Sequence, residues 1–270
     1  MSPGKIIFLA LVLAFPVAAQ ASDDGLGDAG LDEIVVVATK RATSIRDVAA
    51  DITVITAAEL QATLGTSLED VFRFVPGVTQ QSSGSRFGTE GITIRGIGGN
   101  RIAMELDGVS LSDHFAIGNF ANATRDFADT GLIGQVEVLR GPASAVYGSS
   151  ALGGVVAMQT LQPSQFPGDD KLAGRASLLY RGLDASRNTE ASVALRGPGT
   201  AMILAGSFRE GSEQSSAALD VAADTQDYRR DGALAKLVGE NRFGHGWQLS
   251  VVRQTRDTAT NISSVLGDGR

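Results

Sequence analysis

The C-terminal part of the sequence is built from runs in which apolar and polar residues alternate. In the run 172–183, Leu178 and Tyr180 alternate with polar residues such as Ser177 and Arg181. Because successive side chains of a strand point to opposite faces of a sheet, this two-residue period predicts half-buried β-strands. Further strands of the same kind are predicted at 190–196, 201–209, 232–240 and 247–255.

The joints between these predicted strands differ in length. Those at 197–199 and 241–246 are short and rich in Gly, whereas the joint at 211–230 is long and polar. Short turns at one end of a sheet and long loops at the other are typical of a transmembrane β-barrel. A secreted β-sandwich stays open as the alternative, because the strand pattern alone fits both architectures.

The stretch 42–165 mixes shorter strands with short helices. Thr56 and Glu59 have the spacing of a capping box, and residues 66–69 repeat it, so two helix starts are predicted. From 68 to 75 apolar residues recur at helical spacing, and a Pro-Gly pair ends that stripe. Strands are predicted at 52–55, 91–95, 102–107, 135–139 and 155–160. The fold class predicted for this stretch is a small α+β domain.

Residues 1–21 have the features of a signal peptide. A lysine supplies the positive start, 6–15 is an unbroken apolar run, and Ala19 and Ala21 form the small-x-small pattern of a cleavage site. The apolar run is too short to cross a bilayer of about 30 Å as a helix. The mature chain is therefore expected to be exported and to begin at Ser22.

Residues 22–41 are expected to form a disordered tail. The stretch 22–30 is acidic and rich in Gly, and it shows no apolar period. The segment Ile34–Val37 is a β-branched run with no partner strand nearby in the sequence. Such a segment adds itself as a strand to the sheet edge of another protein, or it serves as an edge strand of the following domain.

Composition excludes several classes of function. The 270 residues contain 23 Lys and Arg against 30 Asp and Glu, and a net charge of −7 argues against a nucleic-acid binder, which usually presents a basic patch. The absence of Cys excludes disulfides, thiol nucleophiles and Cys-ligated metals, and 2 His are too few for a site built on several imidazoles. We find no nucleophile–base set, paired catalytic carboxylates or metal-ligand spacing, so the chain is not expected to be an enzyme.

The stretch 140–156 (RGPASAVYGSSALGGVV) carries the most specific motif. It is not a phosphate-binding loop, since no Gly-Lys-Ser/Thr follows, and the Gly-rich stretch 96–101 lacks the last Gly of the dinucleotide pattern. The motif instead resembles the end of the plug domain of TonB-dependent outer-membrane receptors. Residues 32–39 resemble the TonB box of that family. Further matches, in the family's order, are LEDVFRFVPG (68–77), IRG (94–96), MELDG (104–108) and QVEVLRG (135–141).

The resemblance implies a plug domain over 42–165, followed at 166–270 by the N-terminal part of an outer-membrane β-barrel. The fold class is therefore expected to be an α+β plug domain and the start of an antiparallel transmembrane β-barrel. Barrels of plugged transporters have about 22 strands. The strands predicted after residue 172 are too few to close such a barrel, so the barrel part is expected to be incomplete.

The resemblance also implies energised import across the cell outer membrane of a Gram-negative bacterium. TonB, with its inner-membrane energising complex, would pair with the TonB box by β-augmentation. The box residues are Asp32, Glu33, Ile34, Val35, Val36, Val37, Ala38 and Thr39. Outer-membrane lipid would surround the barrel, and no tightly bound cofactor is implied. Three charged plug residues would contact the barrel wall, or alternatively be solvated charges on strand faces: Arg95, Glu137 and Arg140.

Two stretches, 85–99 and 106–120, look most like the haem and haemoglobin branch of the family. There His114 would ligate haem iron, and three residues would contact a planar, anionic ligand: Arg86, Phe87 and Phe115. A lone loop His is also an ordinary surface residue, and aromatic residues this sparse also serve in packing. The expected function is uptake of an iron source, namely haem or a haem-protein. The alternatives are a ferric-siderophore receptor and a truncated, plug-only periplasmic binding module without transport.

Overall fold

The structure is a computed structural model that describes most of the chain. The described residues are 34–35, 43–44, 50–82, 90–113, 115–117, 121–123, 128–166, 168, 170–182, 184–213, 225–241, 243 and 245–261. The predicted signal peptide at 1–21 lies outside them. Below, the N-terminal domain means residues 50–166, and the C-terminal sheet means residues 172–261.

Two very short strands precede the N-terminal domain. β1 (Ile34–Val35) pairs antiparallel with β2 (Thr43–Ser44), so that Ile34 lies opposite Ser44. The expectation that the β-branched run has no partner strand nearby in the sequence is therefore wrong. Backbone N–H and C=O groups of an extended segment need hydrogen-bond partners, and here the next extended pair along the chain supplies them.

The N-terminal domain combines short strands with short helices, which confirms the predicted α+β class. Its strands are β3 (Asp51–Thr56), β4 (Val78–Ser82), β5 (Glu90–Ile94), β6 (Ile97–Gly98), β7 (Ile102–Leu106), β8 (Val109–Ser110), β9 (Phe115–Ile117), β10 (Ala121–Ala123), β11 (Ile133–Arg140) and β12 (Gly154–Thr160). Its α-helices are α1 (Ala57–Ala62), α2 (Leu68–Phe72) and α3 (Ser144–Tyr147). None of the helices in the described ranges is long and apolar enough to cross a membrane.

The strands of the N-terminal domain form one central sheet and two smaller ones. The central sheet has the order β3-β11-β12-β7-β8, in which β12 and β7 run parallel and the other neighbours run antiparallel. The smaller sheets have the orders β4-β5-β6 and β10-β9. The parallel pair places the ends of β7 and β12 side by side at one edge of the domain.

The first two helices begin at side chains that cap them. The Thr56 side chain accepts a hydrogen bond from the N–H of Glu59 (3.3 Å), and the Glu59 carboxylate accepts one from the N–H of Thr56 (2.8 Å). The capping box predicted for α1 is therefore confirmed. Helix α2 is capped one residue later than the repeated spacing predicts, because Ser67 accepts from the N–H of Asp70 (3.2 Å).

The main core of the N-terminal domain contains α2 and one face of the central sheet. The four residues of the predicted helical stripe are all buried: Leu68, Val71, Phe72 and Val75. They belong to one apolar cluster with residues of the central strands: Met104, Val136, Val138 and Val156. Because burial of a large apolar side chain contributes about 1.5–3 kcal/mol, this cluster holds α2 in place.

The C-terminal sheet consists of five antiparallel strands in sequence order. They are β13 (Leu172–Arg181), β14 (Ser186–Gly197), β15 (Thr200–Glu213), β16 (Thr225–Glu240) and β17 (Gly246–Asn261). The prediction of about five strands is confirmed, but β15 and β16 extend into the predicted joint at 211–230. Polar residues occupy both faces there, so the two-residue period disappears, while pairs such as Glu210 and Arg229 continue the ladder.

The two faces of the C-terminal sheet have different surroundings. The outer face exposes large apolar side chains, and Leu178, for example, is 80% exposed. The inner face packs against the N-terminal domain through one buried cluster. The cluster contains three residues of the sheet and three of the domain: Ala194, Ile203, Leu234, Leu132, Leu161 and Phe166.

Gly154→Ala is expected to destabilise the N-terminal domain. Gly154 begins β12 with a φ of 154°, and a Cβ there would overlap the Leu139 carbonyl oxygen and lie 2.8 Å from Cδ1 of Ile94. We expect this overpacking to lower the free energy of unfolding by about 2–3 kcal/mol, measured by denaturant titration. The control is Gly91→Ala, where nothing lies within 4 Å of an added Cβ. Equal stability of the two variants would contradict the prediction.

Candidate functional site at the domain–sheet interface

The inner face of the C-terminal sheet carries a buried lysine. The Lys236 side chain is 0% exposed, and its Nζ donates to the Thr160 carbonyl oxygen (3.2 Å) and to Oδ1 of Asp107 (3.4 Å). Asp107 also accepts from the backbone N–H (2.9 Å) and the hydroxyl (2.6 Å) of Thr160. Burying an ammonium group is costly unless it is paired and hydrogen-bonded. This ion pair therefore ties the ends of β7 and β12 to one point of the sheet.

The local sequence shapes the turn that presents this carboxylate. Asp107 and Gly108 follow β7, and both have positive φ, at 49° and 79°. Asp tolerates this left-handed conformation better than most residues that carry a Cβ, and Gly108 supplies the second position. The sequence predicts a turn here but not its partner, because Lys236 lies 129 residues further along the chain.

A second polar anchor joins the start of α2 to the end of β13. Asp70 is buried and accepts from Nη2 of Arg181 (2.7 Å), Nη2 of Arg73 (2.9 Å) and the N–H of Thr66 (3.1 Å). Burial by itself raises the pKa of Asp70, but hydrogen bonds from Arg181, Thr66 and Ser67 outweigh it, and the pKa lies below its usual value. Asp70 is therefore a carboxylate at neutral pH and a counter-charge for Arg181.

A third polar anchor is Arg209 on β15. Its Nη1 donates to the Thr66 carbonyl oxygen (2.6 Å) and its Nη2 to Oδ2 of Asp184 (3.1 Å), while the guanidinium carbon lies 5.2 Å from the centre of the Tyr228 ring. Asp184 also accepts from the Tyr228 hydroxyl and from the N–H of Ser186. Although burial raises the pKa of Asp184, these hydrogen bonds hold it below its usual value.

Near these anchors the domain and the sheet approach closely. A Cβ on Gly232 would lie 2.6 Å from Oδ2 of Asp129, and a Cβ on Gly131 would lie 2.8 Å from Oε1 of Glu190. Asp129 also accepts a hydrogen bond from the Ser207 hydroxyl. The interface therefore has a packed centre and polar anchors that bind specific groups.

Two of the charged residues predicted to contact a barrel wall meet at one carboxylate. Nη1 of Arg140 donates to Oδ1 of Asp51 (2.8 Å), and Arg95 pairs with the same carboxylate. Arg140 also donates to the Thr53 hydroxyl (2.6 Å) and to the Pro76 carbonyl oxygen (2.9 Å). These contacts join β3, β11 and the residue after β5 within the N-terminal domain.

The third of these residues, Glu137, lies on the opposite face of β11 from Arg140. It is 0% exposed and accepts from Nε2 of Gln135 (3.1 Å) and Nε2 of Gln159 (2.9 Å). Its described partners also belong to the N-terminal domain. For Arg95, Glu137 and Arg140, contact with a barrel wall stays a prediction.

Most of the other predicted site residues lie outside the described residues. This holds for three predicted ligand contacts: Arg86, Phe87 and His114. Of Phe115, the backbone is described as the start of β9. Of the TonB box, the backbones of Ile34 and Val35 are described in β1, and the rest lies outside: Asp32, Glu33, Val36, Val37, Ala38 and Thr39. All these roles stay predictions. Within the described ranges, no three His, Asp or Glu side chains are grouped so as to hold a metal.

The residues that hold the domain to the sheet were not predicted from the sequence. Arg181 was interpreted only as a polar position of an alternating strand, and neither Arg209 nor Lys236 was singled out. A signal was present for Lys236, because it shares a strand face with Leu234 and Val238 and interrupts an apolar series. A charge inside an apolar face indicates a buried partner.

The N-terminal domain is similar to a family of known proteins. Residues 44–155 match the TonB-dependent Receptor Plug Domain family. The fold is similar to the pyoverdine outer membrane receptor FpvA from Pseudomonas aeruginosa, with a TM-score of 0.66 and 18% identity over 83% of this chain and 30% of that chain. The FrpB iron transporter from Neisseria meningitidis matches with a TM-score of 0.61 and 18% identity, over 76% of this chain and 31% of that chain. The siderophore receptor PiuA from Acinetobacter baumannii matches with a TM-score of 0.59 and 20% identity, over 80% of this chain and 28% of that chain.

The fold of the chain is thus that of a plug domain followed by a partial antiparallel sheet of the barrel type. It spans between 28% and 31% of the length of these three matched chains. At identities of 18–20% the similarity to the solved structures concerns the fold. The expected fold class is confirmed.

Lys236→Met is expected to lower the free energy of unfolding by about 3 kcal/mol, because it leaves the Asp107 carboxylate without its buried cation. Asp107→Asn keeps the turn, since Asn also tolerates positive φ. In the double variant, Lys236→Met with Asp107→Asn, the loss of unfolding free energy should be smaller than the sum of the losses in the two single variants. Denaturant titration measures all three. The control is Arg229→Met on the exposed face of the same strand, for which little change is expected. Additive losses would contradict a coupled ion pair.

Asp70→Asn is expected to weaken the acid dependence of stability. The folded pKa of Asp70 is below its usual 3.8, so the carboxylate stabilises the fold above that pH, and the stabilisation is lost as pH falls through the folded pKa. The free energies of unfolding of the unmodified chain and the variant should therefore differ at pH 7 and converge towards pH 2. The control is Glu69→Gln, an exposed neighbour on α2. A difference that stays constant over this pH range would contradict the prediction.

Proposed function

We propose that this chain acts in TonB-dependent uptake of a ferric siderophore across the outer membrane of a Gram-negative bacterium. The observation that carries the proposal is a plug domain anchored to the inner face of a sheet whose outer face is apolar. A plug inside a barrel is the arrangement by which a transporter closes its pore until ligand and energy are supplied. The proposed role is that of a receptor and transporter, not of an enzyme.

The outer face of the sheet supports contact with outer-membrane lipid. Its exposed residues include Leu178, Leu249 and Val251, and aromatic residues lie near both ends of the apolar band. Tyr180 lies next to the last residue of β13, and Trp247 lies next to the first residue of β17, at the other end of the sheet. An apolar band between aromatic residues is the pattern of strands that cross an outer membrane.

A siderophore is better supported as the ligand than haem. The sequence favoured haem on the likeness of two plug stretches, 85–99 and 106–120. Among the matched structures, PiuA is named a siderophore receptor, FpvA is bound to pyoverdine, and FrpB is named an iron transporter. The ferric enterobactin receptor PfeA from Pseudomonas aeruginosa also matches, with a TM-score of 0.58. We therefore place the ferric siderophore ahead of haem, and His114 remains a predicted contact.

The proposed energy input acts at the TonB box. Residues 32–39 would pair with TonB through backbone hydrogen bonds, and β1, which pairs with β2 in the structure, has the extended backbone that such pairing needs. Asp51 begins the first strand of the N-terminal domain, and its carboxylate is held by Arg95 and Arg140. A force that TonB applied to the N-terminal segment would therefore act on this ion-pair group before it acted on the core of the plug.

Growth with a ferric siderophore as the sole iron source tests the proposal. A strain that lacks the full-length gene is expected to lose growth on the siderophore and to keep growth on haem. The unmodified gene should restore growth, but Ile34→Pro with Val35→Pro should not, because proline lacks the N–H that a strand pairing needs. Ile34→Ala with Val35→Ala is the matched control, since it keeps both N–H groups.

The result that would contradict the proposal is equal growth of the deletion strain and its parent on every siderophore tested. Loss of growth on haem alone would favour haem uptake. Normal growth with the proline variant would show that uptake does not need strand pairing with TonB, even if the ligand assignment were right. A product found only in the periplasm would favour the plug-only binding module.

A further inference from the structure

A row of alternating charges crosses the outer face of the C-terminal sheet. Five residues lie opposite one another in register on the five strands: Tyr180, Arg187, Glu210, Arg229 and Asp257. The last four are exposed and are called the charge row below. Their signs run positive, negative, positive and negative, with about 4.8 Å between neighbouring strands.

The charge row lies at one end of the apolar band. On β17, Trp247 lies at the other end, beside the short turn at 241–246, and Asp257 follows 257 − 247 = 10 residues later. At about 3.4 Å per residue and a tilt of about 40°, Asp257 lies about 25 Å above Trp247, which is the height of the apolar band of an outer-membrane barrel. Short turns of such barrels face the periplasm. In the outer membrane, the charge row would therefore lie at the headgroups of the outer leaflet.

The charges of the row do not pair with one another. Nη2 of Arg229 pairs instead with Oδ1 of Asp231 (3.2 Å), and its guanidinium carbon lies 4.9 Å from the centre of the Phe208 ring. The other three members of the charge row make no hydrogen bond or ion pair within the part of the chain that the structure describes. Charges that served only to join the strands would pair with their cross-strand neighbours. The row therefore leaves donors and acceptors available to a ligand.

An open groove of about 710 Å³ follows the charge row. All four members of the row line it, together with Ser212 and Asp227. The Ser212 hydroxyl donates to Oδ1 of Asp227 (2.7 Å), so this carboxylate is already hydrogen-bonded. On the membrane side of the groove, the apolar band begins with the exposed Leu178, two residues before Tyr180 on the same strand face. A charged groove beside an exposed apolar surface fits an amphipathic molecule.

The arrangement of charges in the groove favours a zwitterionic headgroup. The groove is lined by two arginines and three carboxylates, so a purely anionic or purely cationic group would meet like charges on either side. A headgroup in which a short linker joins a phosphate to an ammonium group matches opposite charges on neighbouring strands. Guanidinium groups bind phosphate with paired hydrogen bonds. A carboxylate accepts from the N–H groups of a primary ammonium.

We propose that the charge row binds a membrane lipid whose headgroup carries both a phosphate and a primary ammonium group. Arg187 binds the phosphate, and Glu210, opposite it on the next strand, binds the ammonium. The acyl chains lie along Leu178 and the rest of the apolar band. The inference rests on the proposed function, because it assumes that the outer face of the sheet contacts outer-membrane lipid.

Native mass spectrometry of the full chain tests this lipid site. The chain is released from detergent micelles that contain equal amounts of three lipids. Phosphatidylethanolamine has a primary ammonium, phosphatidylcholine has a quaternary ammonium without N–H groups, and phosphatidylglycerol has no ammonium. The chain is expected to retain phosphatidylethanolamine about tenfold more than either of the others, because hydrogen bonds to charged groups are the stronger ones.

Arg187→Gln with Glu210→Gln is expected to lower retention of phosphatidylethanolamine about tenfold, because both charged partners of the headgroup are lost. The matched control is Arg101→Gln with Glu69→Gln, which removes the same two charge types from exposed positions of the N-terminal domain. The control should retain the three lipids as the unmodified chain does. In lipid-free micelles the unfolding midpoints of all three chains should agree, since Arg187 and Glu210 make no hydrogen bond with described residues.

Glu210→Gln alone tests which residue binds the ammonium. Retention of phosphatidylethanolamine should fall, while retention of phosphatidylglycerol should stay the same or rise, because Arg187 remains and a repelling carboxylate is gone. A purely structural role of Glu210 would not change the preference among lipids.

Equal retention of the three lipids by the unmodified chain would overturn the proposal, as would the same loss in the control. A lower unfolding midpoint of the Arg187 and Glu210 double variant would assign the charge row to sheet stability instead. Soluble phosphoethanolamine, added at the concentration of the lipid, should leave the lipid bound. Its complete displacement of the lipid would indicate a soluble ligand and would also overturn the proposal.

Failure of the lipid site and failure of the proposed function give different results. If growth on a siderophore depends on the gene but the chain retains all three lipids equally, the lipid site is wrong and the uptake proposal stands. If phosphatidylethanolamine is retained through Arg187 and Glu210 but deletion of the gene changes growth on no siderophore, the uptake proposal is wrong and the lipid site stands.

Discussion

The buried ion pair between Lys236 and Asp107 is the constraint on which the rest of the arrangement depends. An ammonium group with no solvent contact is tolerated only where acceptors surround it. Its described acceptors, Asp107 and the Thr160 carbonyl oxygen, both belong to the N-terminal domain. The C-terminal sheet therefore accepts the domain in one position, and in that position Leu132 and Leu161 cover the apolar part of the inner face.

In the proposed transporter the plug must both hold and move, and the polar character of the interface is consistent with that requirement. A wholly apolar interface of the same size would often be as stable or more stable, but it would specify position less sharply. Here Asp70, Asp107 and Thr66 receive charged donors from three different strands. Such groups exchange one partner for water or for another polar group when the domain shifts. In the proposed transporter, a pull on the N-terminal side would act against these anchors one after another.

Local features of the fold were predictable from the sequence, and long-range pairings were not. The capping box at Thr56, the buried stripe of α2 and the alternating strands follow from patterns within about ten residues. The ends of β15 and β16 were missed because polar residues occupy both faces beyond Arg209. The anchors were missed because their partners are distant: Lys236 and Asp107 are 129 residues apart, and Arg209 and Thr66 are 143 apart. Spacing within a segment carries no information about which strand will face it.

Amide hydrogen exchange of the unmodified chain and of Lys236→Met tests most directly whether the ion pair holds the domain on the sheet. We expect faster exchange in the variant at the amides of Thr160 and Leu111, beside the Asp107 turn, because their hydrogen bonds depend on that turn. The amides of β11, inside the central sheet, should keep their protection. Unchanged exchange at Thr160 and Leu111, or an equal rise across the whole N-terminal domain, would contradict the claim.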